Sequence, residues 1–223
     1  TALEGTDYGN VADITISAGD TTGTATFTPT DDSVYEGNET ATITMASVTG
    51  ANAGSTTSQT ITITENDSTP VVTLATSAST IAENAGSSLT LTATLSNATT
   101  EDVTVALSTS GTGTEGTDYS TISDITISAG ATTGTASFTP TDDSVYEGNE
   151  TGVVAISGVS GADAAESGTQ SVTITITENE SSPTITLTSS ASSIAENAGS
   201  SLTLTATSSI VADEDITVSI STS

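Results

Sequence analysis

Five segments of this chain occur twice, in the same order, and that repetition narrows what the chain can fold into. "EGTDY" stands at 4–8 and 115–119, "ITISAG" at 14–19 and 125–130, and "FTPTDDSVYEGNET" at 27–40 and 138–151. "TITITEN" stands at 60–66 and 173–179, and "IAENAGSSLTLTAT" at 81–94 and 194–207. Phe27 recurs as Phe138, 111 residues on, whereas Ile81 recurs as Ile194, 113 residues on; a two-residue length change falls near 51–59. Such a pattern means a row of similar units, each with its own core, rather than one large core.

The units are out of phase with the 223 residues. Pro70 and Pro183 follow the short polar stretches "NDST" and "NESS", and proline there ends one strand run and opens another. The expected organisation is therefore the rear part of one unit at 1–67, a complete unit at 68–180, and the front part of a third at 181–223. The two partial units are complementary: Ser223 corresponds to Ser110 and Thr1 to Thr112, leaving one position, that of Gly111, uncovered. Two readings stay open. The chain is a window on a longer tandem array, or a subunit whose separate copies complete one another head to tail by strand donation between 181–223 and 1–67.

Strands are legible in the complete unit at 71–76, 88–95, 102–108, 124–128, 133–139, 152–157 and 171–177. Leu89, Leu91, Ala93 and Leu95 share one face, as do Val103, Val105 and Leu107, Ile125 and Ile127, Ala136 and Phe138, and Val172, Ile174 and Ile176. No helical period competes. Seven strands with intervening turns in about 110 residues indicate an all-β immunoglobulin-like sandwich.

Composition sharpens this. Ser and Thr make up about two-fifths of the residues, and Thr, being β-branched, suits a pleated surface. There is no Lys, Arg or His against 28 Asp and Glu, so no side-chain salt bridge can form and every acid repels the others. Phosphate recognition needs Lys or Arg, which argues against nucleic acid and anionic membranes as partners. No apolar run approaches the roughly 18 residues of a membrane span, and no signal peptide is recognisable, so membrane insertion is not expected. A triad lacks its base, zinc lacks His and Cys, and a sugar cleft lacks tryptophan platforms; an enzyme is not expected. An acidic surface of this kind fits a salty or calcium-rich medium outside the cell.

The residues "GTDY…ITISAG…TTGTASFTPTDDSVYEGNET…TITITENE", preceded by "IAENAG", resemble the Calx-beta domain over essentially the whole chain. The resemblance implies tandem Calx-beta-like sandwiches, calcium (Ca2+) sites in some members, and use as modules of extracellular adhesion proteins. Carried over by position, the implied ligands of the complete unit are Glu83, Asp118, Asp142, Asp143, Glu147, Glu178 and Glu180. The first partial unit supplies Asp7, Asp31, Asp32, Glu36, Glu65 and Asp67, and the third supplies Glu196. The exit stretches read "TENE" and "TEND" where calcium-binding members often carry consecutive aspartates. The chemistry agrees with the resemblance, because calcium takes six to eight oxygens and carboxylates gathered in loops need a cation among them. The competing reading is that these acids are solvated turn residues.

The expected function is a structural or adhesive module of a surface fibre, adhesin or matrix filament at the cell surface, stiffened by calcium. Its expected partners are neighbouring repeats or identical subunits in a linear array, with surface glycans as a further possibility. A calcium-sensing regulatory module and a carbohydrate-binding module are the alternatives. Asn38, Asn66, Asn97, Asn149 and Asn179 match the glycosylation pattern, though Ser and Thr are so frequent that chance matches are expected. Tyr8 and Tyr119, each beside an aspartate, read as core residues in preference to ligand contacts.

Overall fold

The computed structural model describes residues 1–197 and 199–222, so the Ser223 side of the Ser223–Thr1 joint lies outside the described residues. These residues form strands, turns and loops, with no helix among them. The first partial unit carries β1 (Val34–Tyr35), β2 (Glu39–Thr44) and β3 (Ser58–Ile63). The complete unit carries β4 (Val71–Thr76), β5 (Thr80–Ala82), β6 (Leu89–Leu95), β7 (Ala98–Thr99), β8 (Val103–Gly111) and β9 (Ile125–Ile127). It continues through β10 (Thr133–Phe138), β11 (Val145–Tyr146), β12 (Glu150–Ser160), β13 (Ala165–Glu166) and β14 (Ser171–Thr177). The third part carries β15 (Ile185–Ser189), β16 (Leu204–Ser208) and β17 (Val211–Ala212).

Two sheets face each other in the complete unit, ordered β10-β6-β4-β13 and β5-β14-β12-β8-β9. All seven strands expected from the alternation are present. Two short edge strands add to them: β5 pairs parallel with β14, and β13 pairs parallel with β4. Because β4 and β5 are consecutive yet lie in opposite sheets, the first strand run straps the sandwich together. β12 runs longer than the expected 152–157, and a register shift between Ile156 and Gly158 bends it along β8.

Alternation places Leu91, Ala93 and Leu95 of β6, Val103 and Val105 of β8, and Ile174 and Ile176 of β14 between the sheets. Burying each large aliphatic chain contributes about 1.5–3 kcal/mol. With few aromatics in the chain, one pair matters disproportionately: Tyr119 is buried and stacks on Phe138 at 4.6 Å between ring centroids. Gly152 makes room for them, since a Cβ there would stand 2.7 Å from the Phe138 ring. In the first partial unit Tyr8 packs on Phe27 in the same way, at 4.7 Å. Both tyrosines are therefore core residues.

Successive units meet through one repeated contact. Val34 and Tyr35 pair in parallel with Ala98 and Thr99, and Val145 and Tyr146 pair identically with Val211 and Ala212. The Tyr35 hydroxyl donates to Asp163 at 3.1 Å, and the Ser182 hydroxyl donates to the Tyr146 hydroxyl at 3.1 Å. A backbone N–H of the following unit caps each ladder, from Thr100 to the Tyr35 carbonyl and from Asp213 to the Tyr146 carbonyl.

Candidate metal centre

Four chain segments bring the acids of the complete unit to one end of the sandwich. Asp118 sits on a tight loop in which its carboxylate accepts the Thr114 N–H at 2.5 Å. The carbonyl of Asp118 accepts the Thr141 N–H at 2.9 Å, and Tyr119 bridges Pro140, so this loop is laced to the "TPTDD" stretch. There Asp143 turns back to accept the Val145 N–H at 2.7 Å, an Asx turn that holds the loop in shape. From the far edge Glu83, buried beside β5, accepts the Asp143 N–H at 3.3 Å.

Glu178 fastens the chain exit to this loop. One carboxylate oxygen accepts the N–H groups of Glu147 and Gly148 at 2.7 and 2.8 Å. The other accepts those of Asn179 and Glu180, each at 2.9 Å. A carboxylate offers about four acceptor positions, so backbone donors take up essentially all of its capacity. Glu65 does the same for Glu36, Gly37, Asn66 and Asp67 in the first unit. Burial opposes ionisation of Glu178, but its N–H donors outweigh burial and hold the group down to about 2. Glu65 is likewise lowered against its burial. These two glutamates, read in the sequence as ligands, are loop staples first.

The acids of this end crowd together. Glu83 with Glu178 and Glu180, Glu83 with Asp143 and Glu147, and Asp118 with Glu147 and Glu150 form three overlapping groups, the ligand oxygens of each lying within 4.8 Å of one another. Burial, followed by neighbouring acids, pushes Glu83, Glu147 and Glu150 up to about 7. For Glu147 and Glu150 those neighbours include Asp213 of the following unit, whose place at the first joint is taken by Thr100. Glu180 is raised by its bond to Glu178 and by burial, and one of its oxygens is buried with no hydrogen-bond partner.

The donor set suits calcium. Oxygens 2.3–2.6 Å from one ion lie at most about 5 Å apart, which matches the 4.8 Å spacing. All the donors are hard oxygens, and the chain holds no Lys, Arg or His to balance them. Glu83, Asp143, Glu147, Asp118, Glu150 and the free oxygen of Glu180 are the residues that would hold ions.

Other residues named from the sequence fall elsewhere. Asp142 accepts from the Asn179 side chain at 3.2 Å and joins none of the groups, and Asp31 accepts from Asn66 at 2.9 Å. In the first unit Asp7 gathers with Glu36 and Glu39, while Asp32 makes the Asx turn to Val34. Asp32, Glu65 and Asp67 line the same cleft, and burial raises Asp67. Glu196 is exposed and belongs to none of the groups. Glu150 and Glu39 also join these acidic groups, although the resemblance did not name them among the implied ligands; both belong to the "YEGNE" stretch. The five glycosylation-pattern asparagines all have structural contacts. Asn38 and Asn149 accept the N–H groups of Glu65 and Glu178, Asn66 and Asn179 donate to acids, and Asn97 donates to the Ser68 carbonyl.

The family model of the Calx-beta domain matches residues 1–67 and 65–180. A solved structure described as "Crystal structure of Apo-form Calx CBD1 domain" is similar at 17% identity and a TM-score of 0.41, covering 49% of this chain and 98% of that one. Comparison with curated protein sequences gives no match.

Proposed function

Because this chain belongs to the Calx-beta domain family, we propose that it is a structural module of an extracellular linear array, in which calcium bound at the sandwich ends stiffens the joints between units. One observation carries this reading. Val145 and Tyr146, which pair with the following unit, lie in the same loop as Asp143 and Glu147. An ion held by those carboxylates fixes the strand that makes the joint, and Asp213 brings a further carboxylate from the other side. Without a cation, the crowded acids push that loop apart. The reading includes no catalysis, and neighbouring units are the module's partners.

Thermal melting in calcium and in chelator tests it. Calcium at a hundredfold excess over its dissociation constant stabilises by about 2.7 kcal/mol, so the complete unit should melt clearly higher in calcium. Glu83→Gln and Glu147→Gln, which remove shared ligands, should erase most of that gain. Equal melting temperatures in calcium and chelator would remove the metal from the function.

A further inference from the structure

The two joints between units are built from different side chains, although the loops that enter them are identical. The segment that receives Val34 and Tyr35 at the first joint reads "NATT" at 97–100, and the one that receives Val145 and Tyr146 at the second reads "IVAD" at 210–213. At the first joint the Asn97 side chain donates to the Ser68 carbonyl at 3.2 Å, tying the linker to the receiving strand; Ile210 has no such donor. Thr99 is fully buried and anchored within its own unit: its hydroxyl donates to the Glu101 carbonyl at 2.7 Å, and its carbonyl accepts the Gly130 N–H at 2.8 Å. Tyr35, paired with Thr99, is buried as well, and its hydroxyl reaches Asp163. Asp163 sits in a turn that the fold holds under strain. Ala162 and Asp163, at φ 49° and 51°, are the non-glycine residues with positive φ among the described residues. That left-handed region costs a side chain energy and persists only where the surroundings enforce it. Three contacts enforce it here. A Cβ on Gly161 would stand 2.2 Å from the Asp102 carbonyl oxygen, Ala162 and Ala164 pack on the core, and the Ala165 N–H donates to the Pro70 carbonyl at 3.1 Å. Among the described residues the Asp163 carboxylate bonds only to the Tyr35 hydroxyl, which belongs to the preceding unit.

We propose that Asp163 is the positioning residue of the first joint, catching the Tyr35 hydroxyl and holding the preceding unit in line without calcium. A carboxylate that accepts a phenol O–H makes a charge-assisted bond, stronger than a neutral one. Only 9% of Tyr35 is exposed, so little water competes for it. The bond is also directional, because the enforced turn fixes the Asp163 backbone and the ladder to Ala98 and Thr99 fixes that of Tyr35. The second joint has a burden that the first lacks. Asp213 stands where Thr100 stands, and it repels Glu147 and Glu150 across the boundary, whereas 97–100 carry no acid. Such an opposition of like charges calls for a cation. The inference rests on the array reading and deepens it, since calcium then regulates the second joint while the first stays latched.

Spin labels on the full chain test it. Thr60→Cys and Thr94→Cys, both at exposed positions in a chain without cysteine, place one pair across the first joint. In chelator their distance distribution should be narrow. Tyr35→Phe removes the donor, and Asp163→Gly removes the acceptor while suiting the left-handed turn. Each should lose the narrow distribution in chelator yet keep the melting temperature of the complete unit, because Asp163 bonds to nothing else there. Asp163→Asn keeps an acceptor and tolerates the same φ, so it should stay narrow. A first joint that is broad in chelator, or variants Tyr35→Phe and Asp163→Gly as narrow as the wild type, or a broad Asp163→Asn, would overturn the proposal. A first joint that narrows only on adding calcium would sink the latch and leave the calcium reading intact. A second joint equally narrow in calcium and chelator would instead sink the calcium reading, and a narrow first joint in the same chelator would still support the latch.

Discussion

The segment "DITISAG" folds in two ways within this one molecule. At 124–130 it contains β9, and Ile125 and Ile127 are fully buried against β8. At 13–19 the same seven residues form no strand, and Ile14 and Ile16 stand 59% and 58% exposed. The local sequence is identical, so the difference comes from the partner. A strand's backbone groups need a ladder and its apolar face needs an opposing sheet; β8 supplies a ladder to 125–127, and no described residue forms one with 14–16. β-propensity here is a capacity that tertiary context completes.

The largest expected break in that comparison is a cavity made on each side of it. Leu91→Ala should cost the complete unit about 3 kcal/mol. Leu204→Ala, the same change at the corresponding place, should cost under about 0.5 kcal/mol. Denaturant unfolding reads both, and similar losses would mean that the partial units are already closed within one chain.

A smaller effect concerns the acids. In chelator, Glu83, Glu147 and Glu150 hold protons up to about pH 7 in the folded unit but release them near 4.5 when unfolded. The folded state therefore binds more protons across that window, and stability should fall as pH rises from about 4.5 through 7. Calcium should reverse the slope, because protons compete with it for the same oxygens. Melting temperatures taken across that range with and without calcium check both signs. A flat chelator profile would mean that the three carboxylates are not crowded.

Much of the sandwich was legible because period-two alternation and repetition both leave traces in the sequence. Leu89 to Leu95 announce β6, and Tyr119, although it stands beside an aspartate, reads as a core residue and is buried. Strands β1, β5, β7, β11, β13 and β17, two or three residues long, carry no readable period, so the unit-to-unit ladders were invisible. The site was legible as a set of loops but not as a division of labour. Glu83, Asp143 and Glu147 gather in one group, and Asp118 gathers with Glu147 and Glu150 in another. Glu178 and Glu180 are two residues apart and similar in type, yet one is filled by four N–H groups while the other keeps a buried oxygen without a partner. That distinction depends on which way the backbone N–H groups of 147–148 and 179–180 point, which composition and spacing do not encode. Glu150 was missed because it opens β12, where a glutamate reads as an ordinary strand end.

In the proposed array an ion in the Asp143–Glu147 loop stiffens the joint made by Val145 and Tyr146. The chain has no cysteine, so Thr173→Cys and Thr205→Cys, both at exposed positions, place a single pair of spin labels across the second joint. Their distance distribution should be narrow in calcium and broad in chelator. Equal widths in the two conditions would contradict the claim.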